Sequence, residues 1–119
     1  MATVLVVDDD PNISQLLCDV IADLGHTPLA AAQGRAGLAL ARAHHPDLIL
    51  SDVMMPVMDG YALLQAIRAD PALAATRVYL MSAALESERN DAAVPAVTGF
   101  IRKPFELTRL EHLLQSLLT

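Results

Sequence analysis

The sequence predicts an α/β fold in which five parallel strands form a sheet that helices cover on both faces. Short apolar runs alternate along the chain with segments that carry apolar residues at helical spacing. Two of these runs, Thr3–Val7 and Asp47–Ser51, contain consecutive aliphatic residues, as strands buried on both faces do. The chain has 119 residues, 54% of them hydrophobic, which is enough for one aliphatic core.

The first half of the chain contains two strand–helix units. After the Thr3–Val7 strand, Pro11 opens a helix with Asp10 as its N-cap, and Gly25 ends the apolar periodicity. The second unit has a strand over Thr27–Ala32. Its helix is rich in Ala and Leu and covers Gly34–His44.

The second half repeats the pattern after the Asp47–Ser51 strand. A helix, two strands and a closing helix are predicted over Gly60–Ala69, Arg77–Met81, Thr98–Arg102 and Glu106–Leu118. One more helix is predicted between the last two strands, over about residues 86–93. It must be short or irregular because Pro95 follows it. We therefore expect one domain, residues 1–119, with five strands and five helices.

Charge and composition narrow the classes of function. The formal net charge is −6, so the surface repels nucleic acids and favours a cation as partner. No apolar run is long enough to cross a bilayer, and no basic, apolar leader opens the chain. We expect a soluble, cytoplasmic protein that binds neither nucleic acid nor membrane.

Polar residues follow the ends of the predicted strands. Asp8 and Asp9 follow the first strand, Asp52 the third, Ser82 the fourth and Lys103 the fifth. Because ligands of open α/β sheets bind beyond the carboxyl ends of the strands, these side chains are expected to converge.

The chemistry of this set points to a cation and a phosphoryl group. Three crowded carboxylates repel one another unless a cation lies between them, and hard oxygen ligands suit Mg²⁺, with Mn²⁺ as a substitute. Lys103 would supply a second positive charge to a phosphoryl group, and Ser82 a hydrogen-bond donor.

Four sequence blocks together resemble one family. Asp8-Asp9, the stretch DVMMPVMDG at Asp52–Gly60, Ser82-Ala83 and Lys103-Pro104-Phe105 are similar to the receiver domains of bacterial response regulators, in order and over the whole chain. The resemblance implies a flavodoxin-like, doubly wound sheet with strand order 2-1-3-4-5. It also implies a signalling module of a two-component system, which assists its own phosphorylation and dephosphorylation but is not otherwise an enzyme.

The resemblance also implies a role for individual residues. Asp52 would accept a phosphoryl group from the phosphohistidine of a sensor histidine kinase or a phosphotransfer protein. Asp9 would bind Mg²⁺ directly, Asp8 through water, and Met54 through its backbone carbonyl. Ser82 would turn towards the phosphoryl group and Phe100 would follow. This would reshape the face of the fourth helix, fifth strand and fifth helix for a downstream protein, an output domain or a phosphorylation-dependent homodimer.

The sequence departs from the family at the output face. Serine at Ser82 replaces the more usual threonine, and Phe100 stands where many members have tyrosine. The stretch Asn90–Gly99 contains Pro95, and the chain is one residue shorter than the common spacing between Ser82 and Lys103.

Two other functions use some of the same residues. An aspartate-nucleophile phosphohydrolase of the haloacid dehalogenase type needs an acid two residues after the nucleophile, where this chain has Met54. A pseudo-receiver would bind partners without phosphorylation, but such domains usually lack an acidic residue, the acceptor or the lysine, and all are present here. Both alternatives rank below the phosphorylation switch.

Overall fold

One parallel sheet organises the computed structural model, which describes residues 1–82, 97–103 and 106–118. The described residues form five strands and four helices, and the strand order is β2-β1-β3-β4-β5. The strands are β1 (Thr3–Val7), β2 (Thr27–Ala31), β3 (Leu48–Asp52), β4 (Arg77–Ser82) and β5 (Gly99–Arg102). The helices are α1 (Pro11–Asp23), α2 (Gly34–His44), α3 (Gly60–Ala69) and α4 (Leu107–Leu118).

The fold class and strand order expected from the sequence are confirmed. β1, α2 and α3 have the predicted bounds, β3 is shifted by one residue at both ends, and the other described elements differ by one residue at one end. The start of α1 is also as predicted, because the Asp10 carboxylate accepts the Asn12 N–H at 2.9 Å. The helix predicted over residues 86–93 lies outside the described residues, so α4 is the helix predicted fifth.

Successive hydrophobic side chains of the central strands point to opposite faces of the sheet, where they form two cores. On one face, Leu5 and Val7 of β1 pack with residues of α2 and α3. On the other face, Val4 and Val6 pack with residues of α1 and α4. Every residue of β3 is buried, as expected for a central strand covered on both faces.

The strand order brings together the ends of β1 and β3. The chain leaves β1 towards β2 on one side and returns to place β3 on the other, with Val7 paired to Ser51. The residues that follow this pair lie at the point where the strand order reverses, which is where α/β sheets bind ligands. No helix among the described residues is long and apolar enough to cross a membrane.

Candidate functional site

Three carboxylates meet at the carboxyl ends of β1 and β3. Asp8 and Asp9 follow β1, and Asp52 is the last residue of β3. One ligand oxygen from each residue lies within 4.8 Å of the other two. Asp8 and Asp52 are buried and Asp9 is exposed, so the cluster opens to solvent on one side.

Lys103 reaches this cluster from the end of the edge strand β5. It follows β5, and its Nζ lies 2.9 Å from Asp8 Oδ2 and 3.3 Å from Asp52 Oδ1. Its side chain is only 15% exposed, which strengthens both interactions relative to surface ion pairs. The second oxygen of Asp8 accepts the Asp10 N–H at 2.9 Å, so both oxygens of this carboxylate have partners.

The electrostatics of the cluster disfavour a full set of negative charges. Burial raises the pKa of Asp52 above its ordinary value and the charge of Asp8 raises it further, while Lys103 and the Met54 N–H act in the opposite direction. Burial alone lowers the pKa of Lys103, but the hydrogen bond and charge of Asp8, with help from Asp52, raise it above its ordinary value. The ammonium is therefore charged, and it pairs with Asp8 and Asp52, two of the three carboxylates.

This imbalance fits a divalent cation. One ammonium leaves two of the three negative charges uncompensated, and the available oxygens are hard donors of the kind that Mg²⁺ and Mn²⁺ prefer. Asp8, Asp9 and Asp52 could hold the ion between them. The open side of the cluster leaves room for water or a phosphoryl oxygen in the remaining positions.

Other residues predicted for the site occupy neighbouring positions. Ser82 is buried at the end of β4, and its carbonyl accepts the Lys103 N–H at 2.9 Å. Met54 lies two residues after Asp52 with 74% of its surface exposed. Phe100 is half-buried in β5 and packs against the core on the α2 and α3 side. Ser82 and Met54 thus lie next to Asp52 in the sheet and along the chain, whereas Phe100 lies within β5, paired with Leu80, and the functional roles of all three stay predictions.

The loop that follows Asp52 was one of the sequence blocks, but the sequence patterns did not reveal how tightly it packs under Asp52. Residues 53–59 join β3 to α3, and the Gly60 N–H closes the loop on the Val53 carbonyl at 3.0 Å. A Cβ at Gly60 would lie 2.5 Å from the Asp52 carbonyl oxygen, so only glycine allows this approach. Asp59 caps α3 through the Ala62 N–H at 2.9 Å. The adjacent Asp-Gly pair was visible in the sequence, but it also fits an ordinary turn.

A family match and a similar solved structure point to the same family. Residues 4–115 match the response regulator receiver domain family. The solved structure of the chemotaxis response regulator CheY4 of Vibrio cholerae is similar to this chain, with a TM-score of 0.90 and 34% sequence identity over 99% of both chains.

Two curated relatives are longer than this chain. The probable transcriptional regulator ycf27 of Cyanidium caldarium is 35% identical over 121 residues, covering 96% of this chain and 45% of the relative. The regulatory protein AtoC of Escherichia coli strain K12 is 35% identical over 116 residues, covering 94% of this chain and 24% of the relative. The chain therefore spans half the length of these relatives or less.

Proposed function

Since this chain belongs to the response regulator receiver domain family, we propose that it is a phosphoryl-accepting switch whose acceptor is Asp52. The observation that carries the proposal is the placement of Asp52 between Lys103 and two further carboxylates at the carboxyl edge of the sheet. The phosphoryl donor would be a phosphohistidine of a sensor histidine kinase or a phosphotransfer protein.

The proposed transfer uses the Asp52 carboxylate as the nucleophile. One of its oxygens forms a bond to phosphorus while the phosphorus–nitrogen bond to the donor histidine breaks, and the imidazole keeps the electron pair. Lys103 Nζ, 3.3 Å from Asp52 Oδ1, offsets the charge that the phosphoryl group brings. Asp9 and Asp52 would hold Mg²⁺ directly, Asp8 largely through water and Met54 through its backbone carbonyl, and the ion would supply positive charge to the phosphoryl oxygens.

The proposed output begins at Ser82. Its hydroxyl would donate a hydrogen bond to the phosphoryl group, and Phe100, on the neighbouring strand β5, would change rotamer into the space released. That movement would alter the face formed by the segment after β4, by β5 and by α4. The face would then bind a downstream protein, an output domain or a second copy of the chain.

The domain organisation is also part of the proposal. The longer relatives include a probable transcriptional regulator and a regulatory protein, so we propose that residues 1–119 form one receiver domain of the same signalling type. Its net charge of −6 disfavours direct contact with nucleic acid. An output domain, where one is attached, would make such contacts instead.

The direct test is phosphorylation by a small phosphodonor such as acetyl phosphate in the presence of Mg²⁺. We expect intact-mass spectrometry to show one added phosphate on the wild-type chain and none on Asp52→Ala. Asp59→Ala is the matched control, because it removes a carboxylate from the same loop that only caps α3. Equal labelling of wild type and Asp52→Ala would refute the assignment of Asp52.

The same samples separate the switch from the phosphohydrolase alternative. A phosphohydrolase would turn over phosphate esters repeatedly, whereas the switch takes up one phosphoryl group per chain. Met54 stands where that alternative needs an acid, so we expect no catalytic release of p-nitrophenol from p-nitrophenyl phosphate.

A further inference from the structure

Helix α2 begins against the loop that follows Asp52. A Cβ at Gly34, the first residue of α2, would lie 2.7 Å from Met58 Cγ and 2.7 Å from the Met58 backbone oxygen. Turning the Met58 side chain would relieve the first contact but not the second. Gly34 is therefore required by space, since the backbone of the loop itself occupies the position of a side chain.

Of helix α2 and the loop around Met58, the loop is the more easily displaced. Helix α2 is held by Leu38 and Ala41, which are buried in the core against the sheet. Within the loop, Val53 and Met55 are buried, but Pro56 and Val57 are exposed and Met58 is half-buried. A side chain added at Gly34 would therefore move Pro56 to Met58 rather than the helix, because few buried contacts oppose movement of this part of the loop.

Movement of Met58 would be passed to both ends of the loop. Towards Met54, the Met58 N–H donates to the Pro56 carbonyl at 2.8 Å, so Pro56 to Met58 form a closed turn that shifts as a unit. Towards α3, Gly60 follows two residues later and rests against the Asp52 carbonyl. A shift of Met58 would therefore reach Met54 in one direction and the Asp52 carbonyl in the other, and both lie next to the carboxylate cluster.

We infer that Gly34 is a positioning residue for the cation site, acting through the backbone of Met58 on the loop that carries Met54 and supports Asp52. The inference rests on the proposed function, in which this cluster binds Mg²⁺. Gly34 touches neither the cation nor the phosphoryl group. Its part is to let α2 approach closely enough to hold the loop in the shape that binds the cation.

The test measures Mg²⁺ affinity apart from stability. We expect Gly34→Ala to bind Mg²⁺ about tenfold more weakly than wild type by isothermal titration calorimetry, as changes in supporting contacts of metal sites commonly do. The Mg²⁺ concentration for half-maximal phosphorylation by acetyl phosphate should rise by the same factor. The rate at saturating Mg²⁺ should recover most of its wild-type value.

A matched control separates positioning from loss of stability. Gly99 is also tightly packed, since a Cβ there would lie 2.6 Å from the Tyr79 ring, but it begins β5 at the opposite edge of the sheet. Gly99→Ala should lower Tm and leave the Kd for Mg²⁺ unchanged. A similar rise in Kd for Gly34→Ala and Gly99→Ala would overturn the inference.

A second variant keeps the inference testable should Gly34→Ala not fold. Combining Gly34→Ala with Met58→Ala removes the clash with Met58 Cγ and keeps the clash with the Met58 backbone oxygen, so the double variant should still bind Mg²⁺ more weakly than Met58→Ala alone. Equal affinity in these two variants, or wild-type affinity in a folded Gly34→Ala, would overturn the positioning role alone. Failure of the wild-type chain to bind Mg²⁺ would instead overturn the proposed function, and the inference with it.

Discussion

The two edges of the sheet use the same kinds of residue in opposite ways. At the amino edge, where the strands begin, Asp47 accepts the Thr3 N–H at 2.8 Å and His26 Nδ1 accepts the Ala2 N–H at 2.8 Å. At the carboxyl edge, Asp8 and Asp52 are buried together and share the ammonium of Lys103. The amino edge matches each acceptor with a donor, whereas the carboxyl edge crowds like charges.

The two edges therefore differ in what their charges require. Hydrogen bonds such as that of Asp47 tie neighbouring strands together and need nothing from outside the chain. The cluster of Asp8, Asp9 and Asp52 becomes electrically balanced only when a cation joins Lys103. The carboxyl edge should therefore respond to Mg²⁺, to pH and to substitution far more than the amino edge.

Mg²⁺ should produce the largest effect. At about 100 times its Kd, an ion that binds only the folded chain adds about 2.7 kcal/mol to the free energy of unfolding, which a thermal melt records as a higher Tm. Asp9→Asn should lose most of this gain, whereas Asp47→Asn, at the amino edge, should keep it. An equal Tm increase in both variants would show that Mg²⁺ binds elsewhere.

Removal of Lys103 should come next. Lys103→Met leaves the buried carboxylates of Asp8 and Asp52 without their cation, and we expect a loss of about 2 kcal/mol in Mg²⁺-free buffer, as for a buried polar group left without its partner. Urea denaturation measures this loss, and added Mg²⁺ should reverse part of it. Arg109→Met is the control, since its ion pair with Glu106 is long, at 3.8 Å, and exposed. Its urea midpoint should not change, and an equal loss in both variants would contradict a special role for Lys103.

A smaller effect should appear in the pH dependence of stability. Because the pKa of Asp52 is raised in the folded chain, the folded state binds more protons than the unfolded state between the ordinary value of 3.8 and the raised value. Stability contributed by this group is therefore lost as pH increases through that window. Near neutral pH without Mg²⁺, Asp52→Asn should be more stable than wild type, and the difference should shrink as the pH approaches the ordinary value.

Urea midpoints of the two proteins, measured from about pH 4 to about pH 8, test this prediction. Saturating Mg²⁺ serves as the control. It stabilises wild type and should therefore remove the difference in stability between wild type and Asp52→Asn. Parallel pH profiles of wild type and Asp52→Asn in Mg²⁺-free buffer would show that the Asp52 carboxyl is not destabilising in the folded state.

The parts of this fold that depend on local signals were predictable from the sequence. Helix α2, for example, is marked by its Ala- and Leu-rich pattern and by Pro46 after it, and its bounds agree with the structure. The meeting of Lys103 with Asp8, 95 residues apart, followed from the rule that strand ends share one edge. The strand order came from the resemblance to a family rather than from periodicity.

The packing around the loop was not predictable in the same way. Gly34 has an ordinary place at the start of a helix, and only the depth at which α2 lies on the sheet reveals its contact with Met58. The backbone conformation of Val57 was even less predictable. A β-branched residue such as valine disfavours positive φ, yet Val57 adopts it. Both features depend on how separate elements fit together, which local patterns do not encode.

The smallest predicted effect concerns strain at the two edges. Val57, in the loop that follows Asp52, has φ +69° in a turn closed by the Met58 N–H, the strained form of a three-residue turn. His45, before β3 at the amino edge, has φ +48° at the C-cap of α2, a conformation common at helix ends. We expect Val57→Gly to raise the free energy of unfolding by about 1 kcal/mol, and His45→Gly to raise it less.

Urea denaturation of the two glycine variants compares the edges directly. Val57 is 94% exposed, so its replacement removes almost no packing, and the gain reports the relieved backbone strain less the entropy that glycine adds to the unfolded chain. Equal gains in both variants would mean that the carboxyl edge stores no more strain than an ordinary helix end. A larger gain for Val57→Gly would show that the loop beside Asp52 is held in its shape at a cost in stability, as backbone strain at functional sites commonly is.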